Sequence, residues 1–187
     1  MVNTDANSFP IPKMPLGLSS FLAPIWNLLP VSFRETLMVR IFGAALIPVL
    51  NYVRPRVLEL SPQRCRVLIP LTRRTKNHLR SMYFAVLAAG ADCAGGLLAM
   101  RLIQTYDPGI SLVFKDFKAD FLKRPEGDVE FRCDQGAEIL AFFEKVRASD
   151  QRLNLPVKIT ASVPSVGPEP VAEFILTLSL KKHRVKG

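Results

Sequence analysis

Asp92 stands alone. It is the only charged residue between Arg80 and Arg101, inside the run Tyr83-Phe84-Ala85-Val86-Leu87-Ala88-Ala89-Gly90-Ala91-Asp92-Cys93-Ala94-Gly95-Gly96-Leu97-Leu98. If this run is a helix, the neighbours of Asp92 at three and four positions are Ala88, Ala89, Gly95 and Gly96, and none can neutralise a carboxylate. The side chain then faces a cavity or a second chain, or it is paired from elsewhere in the fold, for instance with an Arg at a subunit interface. Apolar surroundings disfavour the charged form unless a cation or several N–H donors compensate. An odd buried carboxylate of this kind is a marker for proton-transfer chemistry or direct ligand contact. Glycine inside a helix costs ~1 kcal/mol, so Gly95 and Gly96 read as positions where a backbone or a ligand comes close. The other reactive types offer less. Cys65, Cys93 and Cys133 each lie on an apolar run, as buried thiols do. There is no CxxC pair and there are two His in all, so neither a disulfide framework nor a Cys/His metal site is expected, and no cofactor is implied. His78 sits among cations in a loop and reads as a surface residue.

The elements that must carry Asp92 are legible from periodicity. Ser81 to Gln104 predicts the long apolar helix, stopped before Asp107-Pro108-Gly109. Before it, Val57–Leu60 and Cys65–Ile69 read as two strands joined by Ser61-Pro62-Gln63, followed by the basic loop Thr72-Arg73-Arg74-Thr75-Lys76-Asn77-His78. After it, Ile110 to Phe121 alternates but changes parity near Lys115 and Asp116, which predicts a bulge. Val129 to Cys133, Val157 to Val163 and Ala172 to Leu180 also alternate. A helix over Gln135–Ser149 carries Ile139, Phe142, Phe143 and Val146 on one stripe. Short turns between adjacent strands imply antiparallel pairing. Six strands and one long apolar helix suggest an α+β fold with a curved sheet wrapped around that helix.

The first 55 residues differ in character. Residues 1–18 hold Pro10, Pro12 and Pro15 and read as an extended arm. A short helix is expected over Phe21–Leu29. Ser32 followed by Glu35 is a capping-box pattern that starts a greasy helix running to about Ile47, before Pro48.

The chain has 187 residues, 49% of them hydrophobic, and a formal net charge of +9. That length and apolar content suit one compact domain with a substantial core and exclude a disordered chain. The charge could serve an anionic surface or a phosphate-bearing ligand. No run interleaves several aromatics with Lys or Arg, so nucleic acid is not the expected partner. The N-terminus does not resemble a secretory signal, and a cytoplasmic location is expected. Met82–Met100 is about long enough to span a membrane, but a central Asp costs at least ~2.5 kcal/mol there. A helix buried on nearly all sides in a soluble core is hydrophobic all round as well.

The pattern resembles the hotdog-fold thioesterases, especially the branch acting on phenylacetyl-CoA-type substrates. In that family an Asn precedes the central helix, His-Gly-Gly begins six residues later, and an Asp or Glu follows fifteen residues after the Asn. Asn77 and Asp92 stand at that spacing, with Tyr83-Phe84-Ala85 where the family has His-Gly-Gly. A hotdog branch with Tyr or Phe in place of the His is closer still. The resemblance covers about Arg56 to His183. It implies a hotdog domain over 56–187 with an N-terminal arm and helical extension over 1–55. It further implies a homodimer, or a dimer of dimers, with sites between subunits.

The resemblance implies an acyl-thioester hydrolase, with acyl-CoA as the expected substrate. Asp92 would be the general base or the nucleophile, and Asn77 would orient water or substrate. Helix-start amides near Tyr83 and Phe84 would hold the oxyanion. Gly95 and Gly96 would admit the substrate. Arg73, Arg74, Lys76 and Arg80, with Lys123 and Arg124, could meet coenzyme A phosphates or simply form a solvated face. The alternative is an acyl- or lipid-binding hotdog protein without catalysis, in which Tyr83 replaces the His because nothing is hydrolysed. The N-terminal helices would cover the apolar mouth of the site or add to the dimer. Alternatively, the Phe21–Val53 segment would contact a membrane surface, being apolar with Arg34, Arg40, Arg54 and Arg56 in or beside it.

Overall fold

A computed structural model describes Trp26 and residues 28–183. The expected arm over residues 1–18 lies outside the described residues. So does the Phe21–Leu29 helix, apart from its helical residues Trp26 and Leu28 and the bend at Leu29.

The chain runs through helix α1 (Val31–Ala45), helix α2 (Pro48–Val53), strands β1 (Arg56–Leu60) and β2 (Cys65–Ile69), and the central helix α3 (Phe84–Tyr106). It continues through β3 (Ile110–Phe121), β4 (Val129–Cys133), helix α4 (Gly136–Arg147), β5 (Leu153–Ser162) and β6 (Pro170–Lys182). The six strands form one antiparallel sheet in the order β1-β2-β4-β5-β6-β3, wrapped around α3 in the hotdog arrangement.

The alternation seen in the sequence sets the register. In β2 and β4, Cys65 faces Cys133, Val67 faces Phe131 and Ile69 faces Val129, all buried against α3. On the outer face Arg66 donates two hydrogen bonds, at 2.7 and 3.0 Å, to the Glu130 carboxylate. In β5 and β6 the inward pairs are Val157–Leu176, Ile159–Phe174 and Ala161–Ala172. The parity switch in β3 is a bulge between Phe114 and Phe117. The ring of Phe131 fills the space over Gly90, where an added Cβ would come within 2.3 Å of it. That close approach fits α3 into the curve of the sheet.

Three expectations need correction. The strands β3 and β4 follow one another through a short connection but do not pair; β3 lies against β6, and β4 lies between β2 and β5. The connection is tied elsewhere: the amides of Leu122 and Lys123 both donate to the Val171 carbonyl, and the Pro125 carbonyl accepts from Met82. The central helix begins at Phe84 rather than Ser81, because Ser81 is bonded to Asn77 and the Tyr83 amide is donated to the Thr75 carbonyl, which holds the chain extended up to Tyr83. Helix α1 has no capping box. Pro30 stands at its N-cap without a side-chain bond, and Glu35 is engaged with Arg101 instead.

Helices α1 and α2 form a tight hairpin that lies over β1 and α3. At Gly43 an added Cβ would meet the Asn51 nitrogen at 2.9 Å, so only Gly allows that crossing. Thr36 fastens α1 to the sheet by accepting a hydrogen bond from the Val57 amide at 2.9 Å. The three cysteines are buried and free, as their apolar surroundings imply. Helix α3 is apolar and long enough to cross a membrane, but here most of it is buried in the fold.

Candidate functional site

Two hollows lie along α3, and they divide the predicted site residues between them. The first surrounds Asp92. Helices α1 and α2 roof it with Met38, Phe42 and Leu50, the sheet contributes Leu112 and Phe114, and α3 supplies Met100. Gly96 also lines it, one helical turn beyond Asp92. The cavity has a volume of about 120 Å³.

Among the described residues the Asp92 carboxylate has no hydrogen-bond or ion-pair partner. Burial alone pushes its pKa from 3.8 up to about 6. Such a group is largely ionised at neutral pH yet far more basic than an exposed Asp. That is the state a general base needs.

Two charged residues that the sequence does not assign to the site line the same cavity. Glu35 and Arg101, 4% and 8% exposed, form an ion pair between α1 and α3. Burial raises the Glu35 pKa, and the charge and hydrogen bond of Arg101, with a smaller contribution from Arg34, oppose the rise. Arg101 makes no contribution to the shift of Asp92. One signal pointed to it: Arg101 is the next charge after Asp92 in an otherwise apolar helix. Glu35 was masked by its resemblance to a local cap.

The second hollow lies at the start of α3. It is lined by Asn77, His78, Tyr83, Phe84, Phe121 and Lys123, among others. Tyr83 and Phe84 are 46% and 58% exposed and meet edge to face with their ring centroids 4.8 Å apart. Asn77 is occupied by its own loop: its Oδ1 accepts from the amides of Leu79 at 2.9 Å and Ser81 at 3.2 Å, and its Nδ2 donates to Ser81 Oγ at 3.1 Å. The turn includes Arg80 at φ 65°, in the left-handed region. The Tyr83 amide is committed to Thr75, so Phe84 and Ala85 supply the helix-start N–H groups that α3 itself cannot pair.

The structure therefore brings Asp92 and Gly96 together, and separately Asn77, Tyr83 and Phe84. It does not join the two sets within one chain. Eight residues of helix separate Phe84 from Asp92, about 12 Å at 1.5 Å per residue. Gly95 lines neither hollow; Ile159 and Val157 of β5 pack against it. Arg73, Arg74 and Lys76 are exposed on the loop before the helix, outside both hollows. The Arg74 guanidinium lies over the Tyr52 ring of α2, 5.8 Å from its centroid.

The fold recurs in solved structures. A Chlorobaculum tepidum protein of unknown function superposes with a TM-score of 0.70 at 11% identity, covering 81% of this chain and 97% of that one. A Pseudomonas aeruginosa protein described as a probable thioesterase superposes with a TM-score of 0.65 at 21% identity, covering 83% and 97%. A thioesterase family protein from Silicibacter pomeroyi gives 0.59 at 20% identity, covering 80% and 99%. At these identities the likeness is one of fold. No curated protein matches the sequence. The model of the domain of unknown function DUF4442 matches residues 35–167, a span that takes in both the roof of the Asp92 cavity and most of the sheet. Since that match covers more than half of its length, the chain belongs to the DUF4442 family.

Proposed function

We propose that the protein hydrolyses acyl thioesters, with acyl-CoA as the substrate and Asp92 as the general base. The observation that carries this reading is the unpaired, largely buried carboxylate on the wall of an apolar cavity. The thioesterase descriptions of the Pseudomonas and Silicibacter neighbours support the reaction class. The Asn77–Asp92 spacing favours the phenylacetyl-CoA-type branch, and Tyr83 favours its Tyr- or Phe-bearing relatives.

In the proposed reaction the Asp92 carboxylate takes a proton from water, and the oxygen attacks the thioester carbonyl carbon. The carbonyl oxygen becomes an oxyanion held by N–H groups at a helix start. The intermediate collapses, the C–S bond breaks, and the thiolate leaves with the proton that Asp92 had taken. A carboxylic acid and a thiol result.

Asp92 lies about 12 Å along α3 from its own helix start, and a second chain is proposed to bring a helix start to it. The edge strand β3 exposes Val113, Phe117 and Phe121 and is the surface proposed to pair about a two-fold axis. Arg73, Arg74 and Lys76 are proposed to meet the coenzyme A phosphates, and Asn77 to shape the helix-start loop. The extension over 1–55 and the hotdog domain over 56–187 are proposed to act together, in the cytoplasm. Helices α1 and α2 and the turn between them expose Phe33, Ile41, Leu46, Val49 and Tyr52, apolar groups proposed to meet a membrane surface or a second copy.

One observation favours a second reading, an acyl-binding protein without turnover: the Asn77 oxygen is already satisfied by its own loop, and Tyr83 and Phe84 crowd the helix start. Thiol release from a panel of short, medium and long acyl-CoAs separates the two. Hydrolysis predicts turnover that falls about 10²–10⁴-fold in Asp92→Asn and that declines below about pH 6, as the base becomes protonated. Absence of release across the panel would favour the binding-only reading.

A further inference from the structure

We infer that the α1–α2 hairpin, with the arginines at its end, docks on an anionic lipid bilayer. Its apolar side chains enter the interface and its arginines meet acidic headgroups. The inference rests on the membrane contact named above, gives that contact its chemistry, and is independent of thioester hydrolysis.

Helix α1 is apolar on two sides. A surface helix ordinarily turns an apolar stripe to the core and a polar one to water. In α1 the inward stripe is Glu35, Val39 and Gly43, all buried, and Met38 and Phe42 line the Asp92 cavity beside it. The opposite stripe is Phe33, Leu37, Ile41 and Ala44, spaced by four and three residues, and it is apolar as well. Phe33 is 53% exposed and Ile41 38%. Leu46 in the turn, and Val49 and Tyr52 of α2, continue the exposed apolar groups along the hairpin. Exposed apolar groups that follow one another in this way mark an interaction surface rather than scattered surface residues.

Charge is gathered on the same part of the chain. Between Trp26 and Gly90 there are ten Lys or Arg and two Glu, a balance of +8 in a chain whose whole net charge is +9. Both glutamates are committed, Glu35 to Arg101 and Glu59 to Arg64 and Arg66. Arg54, Arg56 and Arg74 are exposed and have no acidic partner among the described residues. They lie at one end of the hairpin: Arg54 is the C-cap of α2, Arg56 opens β1 two residues later, and the Arg74 guanidinium stands over the Tyr52 ring.

This combination selects a bilayer. Apolar groups beside Lys or Arg are what an interfacial helix presents to anionic lipid, where the apolar groups sink to the acyl boundary and the cations stay at the headgroups. A nucleic acid would satisfy the arginines but leave Phe33, Ile41 and Leu46 without partners. A second copy would satisfy the apolar stripe, but a two-fold contact through this face sets the same patch against itself and brings arginines toward arginines.

The test is co-flotation of the full-length protein with phosphatidylcholine vesicles, with and without about 30% phosphatidylserine. Binding to the anionic vesicles is expected to be about tenfold tighter or more, and to weaken as salt rises from about 0.1 to 0.5 M. Arg54→Gln combined with Arg56→Gln, neither of which enters the proposed reaction, should weaken it by about tenfold or more, at about fivefold per cation removed. Phe33→Ser combined with Ile41→Ser should weaken it by a similar factor. Ile41→Ser alone gives the same readout if that double variant loses its melting transition. Lys145→Gln on α4, a cation outside the hairpin, should change binding by less than about threefold. Equal binding to neutral and anionic vesicles, no binding to either, or binding that neither double variant weakens would overturn the inference. So would a dimer in solution that Phe33→Ser with Ile41→Ser abolishes, which assigns the face to a second copy, or tighter binding of a short DNA duplex than of the vesicles. Thiol release plays no part in the readout, so failure here leaves the hydrolase standing, and absence of hydrolysis leaves vesicle binding standing.

Discussion

The two hollows on α3 differ in what their polar groups have left to give. At the helix start, Asn77 has donated and accepted within its own loop and the Tyr83 amide is spent on Thr75, while large aromatic faces stay open to solvent. Around Asp92 the surface is mostly apolar, and of the two carboxylates that line it Glu35 is paired with Arg101 whereas Asp92 has no partner among the described residues. The first hollow resembles a shaped entrance. The second holds an unpaired carboxylate in apolar surroundings, which costs stability. The two hollows thus differ in whether a polar side chain is left without a bond.

The sharpest way to break the contrast is to remove the cover. Deleting residues 1–55 strips α1 and α2 from the Asp92 cavity and bares Leu60, Leu112 and Phe114. The shortened chain is expected to aggregate, as read by size-exclusion chromatography and light scattering. A soluble protein with an unchanged melting temperature would show that the roof is not part of the fold.

The next effect comes from the ion pair that holds the roof. Arg101→Met leaves Glu35 buried without its partner, and the expected loss is about 3–5 kcal/mol in urea unfolding. Glu35→Gln combined with Arg101→Met removes both charges and should recover much of that loss.

Asp92→Asn tests the covered hollow from the opposite direction. The native pKa of about 6 exceeds the ordinary 3.8, so the folded state binds more protons than the unfolded state between those values. Wild-type stability therefore falls as pH rises through that window, and the penalty is fully present above about pH 6. Asp92→Asn lacks the charge. It should be more stable than wild type by ~1–3 kcal/mol at pH 7.5, with the difference vanishing toward pH 3.5. A variant that is less stable at neutral pH would mean that the carboxylate has a structural partner.

The smallest effect belongs to the helix start. Asn77→Ala removes the bonds that shape the loop and should cost about 1 kcal/mol in unfolding, with a change in thiol release of less than tenfold. A loss of activity as large as that of Asp92→Asn would place Asn77 in the chemistry itself.

What could be read from the sequence was governed by distance along the chain. The strands were legible because each buries one face, so Val67, Phe131 and Ile159 announce themselves by alternation, and even the bulge of β3 showed as a change of parity. Asp92 was legible as an anomaly in an apolar run. The pairings that join distant segments were not. Nothing local indicates that β3 passes over β4 to reach β6, since the short connection between them looks like any hairpin turn. Glu35 and Arg101 are 66 positions apart, and each has a plausible local role that hides the other. Ser81 looked like a helix start until the loop that consumes it was known.

The order of the strands also sets a schedule for synthesis. Helix α3 is complete at Tyr106, with α1, α2, β1 and β2 made before it among the described elements, and its remaining wrapping arrives in β3, β4, β5 and, last of all, β6. At translation speeds of 5–20 residues per second, the interval from Tyr106 to Lys182 lasts roughly 4–15 s. For that time a helix greasy enough to pass for a membrane span is partly naked. Asp92 near its centre raises the cost of placing that segment in a lipid core by at least ~2.5 kcal/mol, a cost the helix carries before the rest of the sheet has closed around it.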